Sequence, residues 1–92
     1  MVRYHILVTG KVQGVGFRRF TQKQAVNLKI VGWVRNKLDG TVEIEAEGKP
    51  QNMNDFITLL WQGPLRAVVD QVQSQPIRGL KGYRRFVIKR NG

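Results

Sequence analysis

Ninety-two residues suffice for a single apolar core, and the chain is read as one domain over residues 1–92. Sixteen Lys and Arg against six Asp and Glu leave a net charge of +10, so anions are the expected partners, whether a small phosphate compound or a nucleic acid. Cysteine is absent, which excludes thiol redox chemistry and thiolate metal sites, and no apolar run approaches the length of a membrane span, so a cytoplasmic location is expected.

Val2, Tyr4, Ile6 and Val8 alternate with Arg3, His5 and Thr9, which predicts a strand from about Arg3 to Gly10 with one buried face. A glycine-punctuated loop follows, Gly10-Lys11-Val12-Gln13-Gly14-Val15-Gly16-Phe17-Arg18-Arg19-Phe20. Phe17, Thr21, Ala25 and Leu28 then recur at helical spacing, so the loop ends at a helix N-terminus and the helix stops near Lys29. The start of a helix carries unpaired amides and the positive end of its dipole, where acidic residues are preferred. Here it carries Arg18 and Arg19. Two cations there, with Lys11 close by, destabilise the turn unless an anion sits among them, held by backbone amides and a guanidinium fork. Gly10, Gly14 and Gly16 permit such a close approach. The alternative is a tight strand-to-helix turn with both arginines in solvent. Dinucleotide and nucleoside-triphosphate loops are excluded, because Arg19 stands where the third small residue of the first belongs and no Gly-Lys-Ser/Thr closes the second.

Val31 to Asn36 is a short strand, and Asn36-Lys37-Leu38-Asp39-Gly40 reads as a hairpin turn with Asp-Gly supplying the positive φ. In the return strand Val42, Ile44 and Ala46 face inward, while Glu43, Glu45 and Glu47 are expected to form a solvated face. Pro50 opens a second helix whose Met53, Phe56, Ile57, Leu60 and Trp61 form one apolar stripe, read as core, and Gly63-Pro64 ends it. A fourth strand with a bulge is expected over Arg66 to Gln75, a loop to Gly82, and a closing strand over Arg84 to Lys89 with Phe86 and Ile88 inward.

The order β-α-β-β-α-β implies the α+β ferredoxin-like arrangement, two helices on one face of a mainly antiparallel sheet. Its first two strands run parallel with the third between them. The glycine loop and Asn36 both follow carboxyl ends of those strands, so they are expected at one sheet edge, within reach of one small ligand.

These residues resemble the acylphosphatase family. Gly10-Lys11-Val12-Gln13-Gly14-Val15-Gly16-Phe17-Arg18 matches its first signature, and Gly32-Trp33-Val34-Arg35-Asn36 with Asp39-Gly40-Thr41-Val42-Glu43 its second; Gly48, Gly63-Pro64, Phe86 and Ile88 fit as well. The resemblance implies hydrolysis of acyl phosphates to a carboxylate and inorganic phosphate without metal or cofactor. It further implies that Arg18 and Asn36 are the catalytic residues and that the amides of Gln13, Gly14, Val15, Gly16, Phe17 and Arg18 bind phosphate. Leu65-Arg66 and the polar tail Arg90-Asn91-Gly92 depart from the family pattern, and neither is expected to touch the matched site residues.

What the chain lacks narrows the chemistry independently. Ser74 is the only serine and His5 the only histidine, so a nucleophilic triad would need both to converge, and a solvated or partner-bonded His5 is the simpler expectation. An anion cradle, an arginine and an amide side chain suit a substrate with a good leaving group, and a carboxylic acid of pKa about 4 to 5 needs no general acid. Asn36 has a second reading as an asparagine tolerating unusual turn geometry. A nucleic-acid-binding module of the same fold would stack bases on aromatics of its outer sheet face, where this chain places three glutamates; nucleic acid is therefore not expected as a partner. A non-catalytic anion-binding module is the other alternative. No segment suggests oligomerisation, and a monomer acting on a small acyl phosphate is expected.

Overall fold

A computed structural model describes all of residues 1–92 and gives the expected element order. The elements are β1 Val2–Lys11, α1 Phe17–Asn27, β2 Val31–Asn36, β3 Val42–Gly48, α2 Pro50–Gln62, β4 Val68–Ile77 and β5 Phe86–Ile88. The sheet runs in the order β4-β1-β3-β2-β5. Both β1 and β2 pair antiparallel with β3, so they are parallel to each other, and β5 joins β2 in parallel. This is the ferredoxin-like α+β fold.

The core forms where the inner face of the sheet meets the two helices. Ile6, Val8, Val34, Val42, Ile44 and Ala46 from the strands are buried against Phe17 and Ala25 of α1 and Met53, Phe56 and Leu60 of α2. Strand period and helix period therefore agree on one apolar layer. Trp61, expected in that layer, is instead 48% exposed. At 3.6 residues per turn it lies about 80° of arc from Met53, at the margin of the buried stripe.

The fourth strand begins and ends two residues later than the sequence suggests. Pro76 pairs with Tyr4 because β4 is an edge strand, where a missing amide donor is tolerated. The expected bulge is present: Thr9 pairs with Gln71 and Gly10 with Val69, which leaves Asp70 unpaired. Gly10 has φ 124° there, and a β-carbon would run into the backbone of Val68 and Asp70. The closing strand is confined to Phe86–Ile88.

The glutamates of β3 do not form a solvated face. The side chains of Glu43 and Glu45 are each 13% exposed, and Glu47 is 2% exposed as a residue. Nε2 of His5 donates to Glu43 at 2.7 Å and Nε of Arg35 donates to its other oxygen at 2.7 Å. The Tyr83 hydroxyl donates to Glu45 at 2.6 Å, Arg3 lies 3.3 Å from the same oxygen as an ion pair out of line for a hydrogen bond, and the amides of Lys81 and Gly82 donate to Glu47. Cross-strand register explains the burial, since β3 is the central strand and its outward carboxylates stand beside the cations of β1 and β2.

Burial works to raise the Glu43 carboxyl, but hydrogen bonds from His5 and Arg35 together with the charge of Arg35 outweigh it and hold the group below its ordinary value of 4.5. A lowered folded value means that this pairing contributes fully above pH 4.5 and is lost as pH falls through the lowered value. Glu43→Gln is expected to be less stable at pH 7 and to show a shallower loss of stability below pH 4.5, as read by urea unfolding at a series of pH values. An acid slope as steep as that of the parent would disprove the assignment.

Candidate active site

The loop after β1 is fastened from within. Val12, Val15 and Phe17 are buried, while Gly14 and Gly16 face an open cleft. Gly16 takes the left-handed conformation at φ 80° as the residue preceding α1, and its carbonyl accepts from the Phe20 amide at 3.0 Å. No side chain caps this helix and its first turn contains no acid. The amides of Gln13, Gly14, Val15 and Gly16 donate to no acceptor within the protein, and the next amides open a helix that offers them none. A run of free donors at the positive end of a helix dipole is suited to receive an anion.

The side chain of Gln13 reaches across to the hairpin. Its Nε2 donates to the carbonyls of Lys37 at 2.8 Å and Thr41 at 2.9 Å, the two sides of the turn that follows Asn36. Asp39 closes that turn locally, its Oδ1 accepting from the amide and the hydroxyl of Thr41, and this pair of bonds lowers its carboxyl pKa. Loop and hairpin are thus joined by one carboxamide. Gln13→Leu keeps the size and removes both bonds; a loss of about 1–2 kcal/mol of stability is expected by chemical denaturation, because both carbonyls keep their turn partners. An unchanged midpoint would show that the tie holds nothing.

The cleft measures about 420 Å³ and is lined by Val12, Gly14, Gly16, Phe17, Arg18, Arg19, Asn36 and Ile88. The structure therefore brings Arg18 and Asn36 together as expected, with Gly14, Gly16 and Phe17, whereas Gln13 and Val15 lie outside the lining. Asn36 ends β2 and is 7% exposed, and its Oδ1 is a buried acceptor without any protein donor. Such an orphan is expensive in a fold.

The fold also places three further side chains. Ile88 points to the inner side of the sheet but is 40% exposed, because β5 is an edge strand and this end of it borders the cleft. Arg19 is exposed at the lining of the cleft, while Arg35 is bound to Glu43 and lies over the Trp33 ring. The tail also reaches the site, contrary to expectation: the Gly92 amide donates to the Asn36 carbonyl at 2.9 Å, and Nη1 of Arg18 donates to Oδ1 of Asn91 at 3.0 Å. Nothing local in the sequence signals this, since the contacts follow from β5 continuing alongside β2.

No group of three or more His, Cys, Asp or Glu side chains gathers in a way that could hold a metal ion, and no helix is long and apolar enough to cross a membrane. The cleft offers instead a nest of amide donors, two guanidinium groups and an amide side chain, a set that can hold a tetrahedral oxyanion and orient one water beside it.

The family model described as Acylphosphatase matches residues 4–88. The chain is 43% identical to the acylphosphatase of Bacillus licheniformis over 88 residues, covering 96% of this chain and 98% of that protein. The crystal structure of acylphosphatase from Bacillus subtilis superimposes with a TM-score of 0.95 at 42% identity, covering 97% of this chain and 99% of that one. A structure of an acylphosphatase from Coxiella burnetii gives a TM-score of 0.91 at 36% identity over 96% of this chain and 92% of its own. With both signature stretches converging on one cleft in the same fold, the chain belongs to the acylphosphatase family.

Proposed function

We propose that this chain hydrolyses the carboxyl–phosphate bond of acyl phosphates, with Arg18 and Asn36 as its catalytic residues. The observation that carries this reading is the meeting, in one cleft, of the Arg18 guanidinium and unpaired loop amides with the Asn36 carboxamide. The amides of residues 13 to 18 and the fork of Arg18 hold the non-bridging phosphoryl oxygens and neutralise charge as the transition state loosens. Asn36 positions a water so that its oxygen faces phosphorus, in line with the bond to the acyl oxygen. As the new P–O bond forms, the acyl C–O–P linkage breaks on the phosphorus side and the carboxylate departs with the bonding pair. An amide is too weak a base to take the water's proton, so a phosphoryl oxygen of the substrate accepts it. The products are a free carboxylate and inorganic phosphate.

No step needs a cofactor, a metal or a covalent intermediate, and the reading places the enzyme in the cytoplasm as a single-domain monomer that acts on small acyl phosphates, without nucleic acid as a partner. Hydrolysis of benzoyl phosphate, followed by its absorbance with a chelator present, tests it. Turnover that survives chelation supports the reading. Absence of turnover by the folded chain would leave a non-catalytic anion-binding module.

A further inference from the structure

The helices cover one face of the sheet. On the other, at the β5 edge, a hollow of about 600 Å³ has Trp33 and Val87 beside each other in register and is bordered by Lys81, Arg84, Arg85 and Lys89. All four cations are exposed and none is in an ion pair. The acids of the neighbouring strand are committed elsewhere, Glu43 to His5 and Arg35, Glu45 to Arg3 and Tyr83, and Glu47 to the amides of Lys81 and Gly82. Like charges gathered without a counter-ion repel one another, so this edge gains from an arriving anion.

The backbone sets the shape of that anion. Pairing with β2 extends past β5 in both directions, the Gly32 amide donating to the Arg85 carbonyl at 2.9 Å and the Lys89 amide to the Val34 carbonyl at 2.8 Å. With Phe86 buried on the inner side, strand alternation puts Arg85, Val87 and Lys89 in one outward row. The two cations stand about 13 Å apart along the strand. Val87, between them, is 38% exposed. The adjoining loop is held as well: Glu47 binds its amides, and the Tyr83 hydroxyl donates to Glu45 at 2.6 Å and accepts from Nε1 of Trp33 at 3.2 Å. Lys81 and Arg84 are therefore carried on a preorganised backbone, which lowers the cost of binding.

We propose that this row is a docking surface for an extended acidic segment of a partner protein, of the pattern acid-x-apolar-x-acid. Residues two apart in an extended chain share a side and repeat at the spacing of the row, so the acids meet Arg85 and Lys89 while the apolar side chain covers Val87. Carboxylates fit the guanidinium fork. Nucleic acid fits less well: Nζ of Lys89 lies 4.4 Å and the guanidinium carbon of Arg35 5.3 Å from the centre of the Trp33 ring, and bases would have to displace those cations to stack there. The hollow shares no lining residue with the catalytic cleft, so the inference stands apart from the reading of that cleft.

The test measures fluorescence anisotropy of a labelled peptide Glu-Ser-Phe-Ser-Glu against the full chain. The parent is expected to bind it, more weakly as salt rises, and to bind the reordered peptide Glu-Glu-Ser-Ser-Phe at least about fivefold less tightly. Arg85→Glu and Lys89→Glu are each expected to weaken binding by about tenfold or more. Lys23→Glu makes the same change of net charge on the exposed side of α1 and is expected to shift it by no more than about twofold. Parental melting of Arg85→Glu and its undiminished benzoyl phosphate turnover would show that the variant is folded. Absence of binding by the parent would overturn the proposal, as would equal binding of the two peptides or equal losses in Lys23→Glu and Arg85→Glu, which would reduce the effect to net charge. Tighter binding of a single-stranded oligodeoxythymidylate, lost in Arg85→Glu, would assign the row to nucleic acid instead.

Discussion

Replacing Arg18 by glutamine is expected to lower kcat/KM by at least about a hundredfold, the scale seen when one preorganised donor to a transition state is removed. The size of the effect follows from what the residue does not do for the fold. Arg18 lies on the open side of the first turn of α1, and its single side-chain bond is an exposed one to Asn91. Its loss therefore leaves packing untouched and places the whole change in the cleft. Glutamine keeps much of the length and a pair of donors but removes the charge, so phosphate inhibition should weaken together with turnover. Parallel steady-state assays and thermal melts check this: near-parental turnover in a variant with a parental melt would remove Arg18 from the chemistry.

Asn36→Ala is expected to abolish measurable turnover, a fall of about a hundredfold or more, while the affinity for inorganic phosphate changes by no more than about threefold. The two readouts separate because the proposed mechanism gives Asn36 the water to position and not the phosphate to hold. Stability offers a further control. Oδ1 of Asn36 is buried without a partner, so deleting it removes an unsatisfied group, and the variant should melt within a few degrees of the parent or above it. Collapse of phosphate binding alongside turnover would instead place Asn36 in the cradle.

Some of this site was legible in the sequence because its signals are local. Glycines at 14 and 16 before two arginines announce a loop entering a helix without acidic capping, and Asp39-Gly40 announces the turn that fixes where β2 ends. Strand order then follows from topology, and it brings the two carboxyl ends to one edge. The remainder depends on partners distant in the chain. Glu43, Glu45 and Glu47 alternate as a solvated strand face does, and only register beside Arg3, His5 and Arg35, with Tyr83 folded over them, buries them. Gln13 reads as one more residue of a phosphate loop, although its carboxamide serves the hairpin. Asn91 belongs to a polar tail without periodicity, and its position depends on a parallel pairing with β2 that no local pattern encodes. Trp61 shows the limit of helical spacing itself, which gives the direction of a side chain but not how far the sheet extends beneath it.

Burial of the β3 carboxylates changes how the net charge of +10 is distributed. Those three acids are covered by groups of the sheet and the loop after β4, leaving only Asp39, Asp55 and Asp70 to temper the outer surface. Lys11, Arg19, Lys37, Lys89 and Arg90 are all near the cleft in the chain and none of them is in an ion pair. Diffusing dianions therefore meet a positive field well before they meet the cradle, and encounter becomes faster in dilute buffer than in concentrated salt. The same glutamates that hold the sheet together thus leave the surface cations with few acids to oppose them.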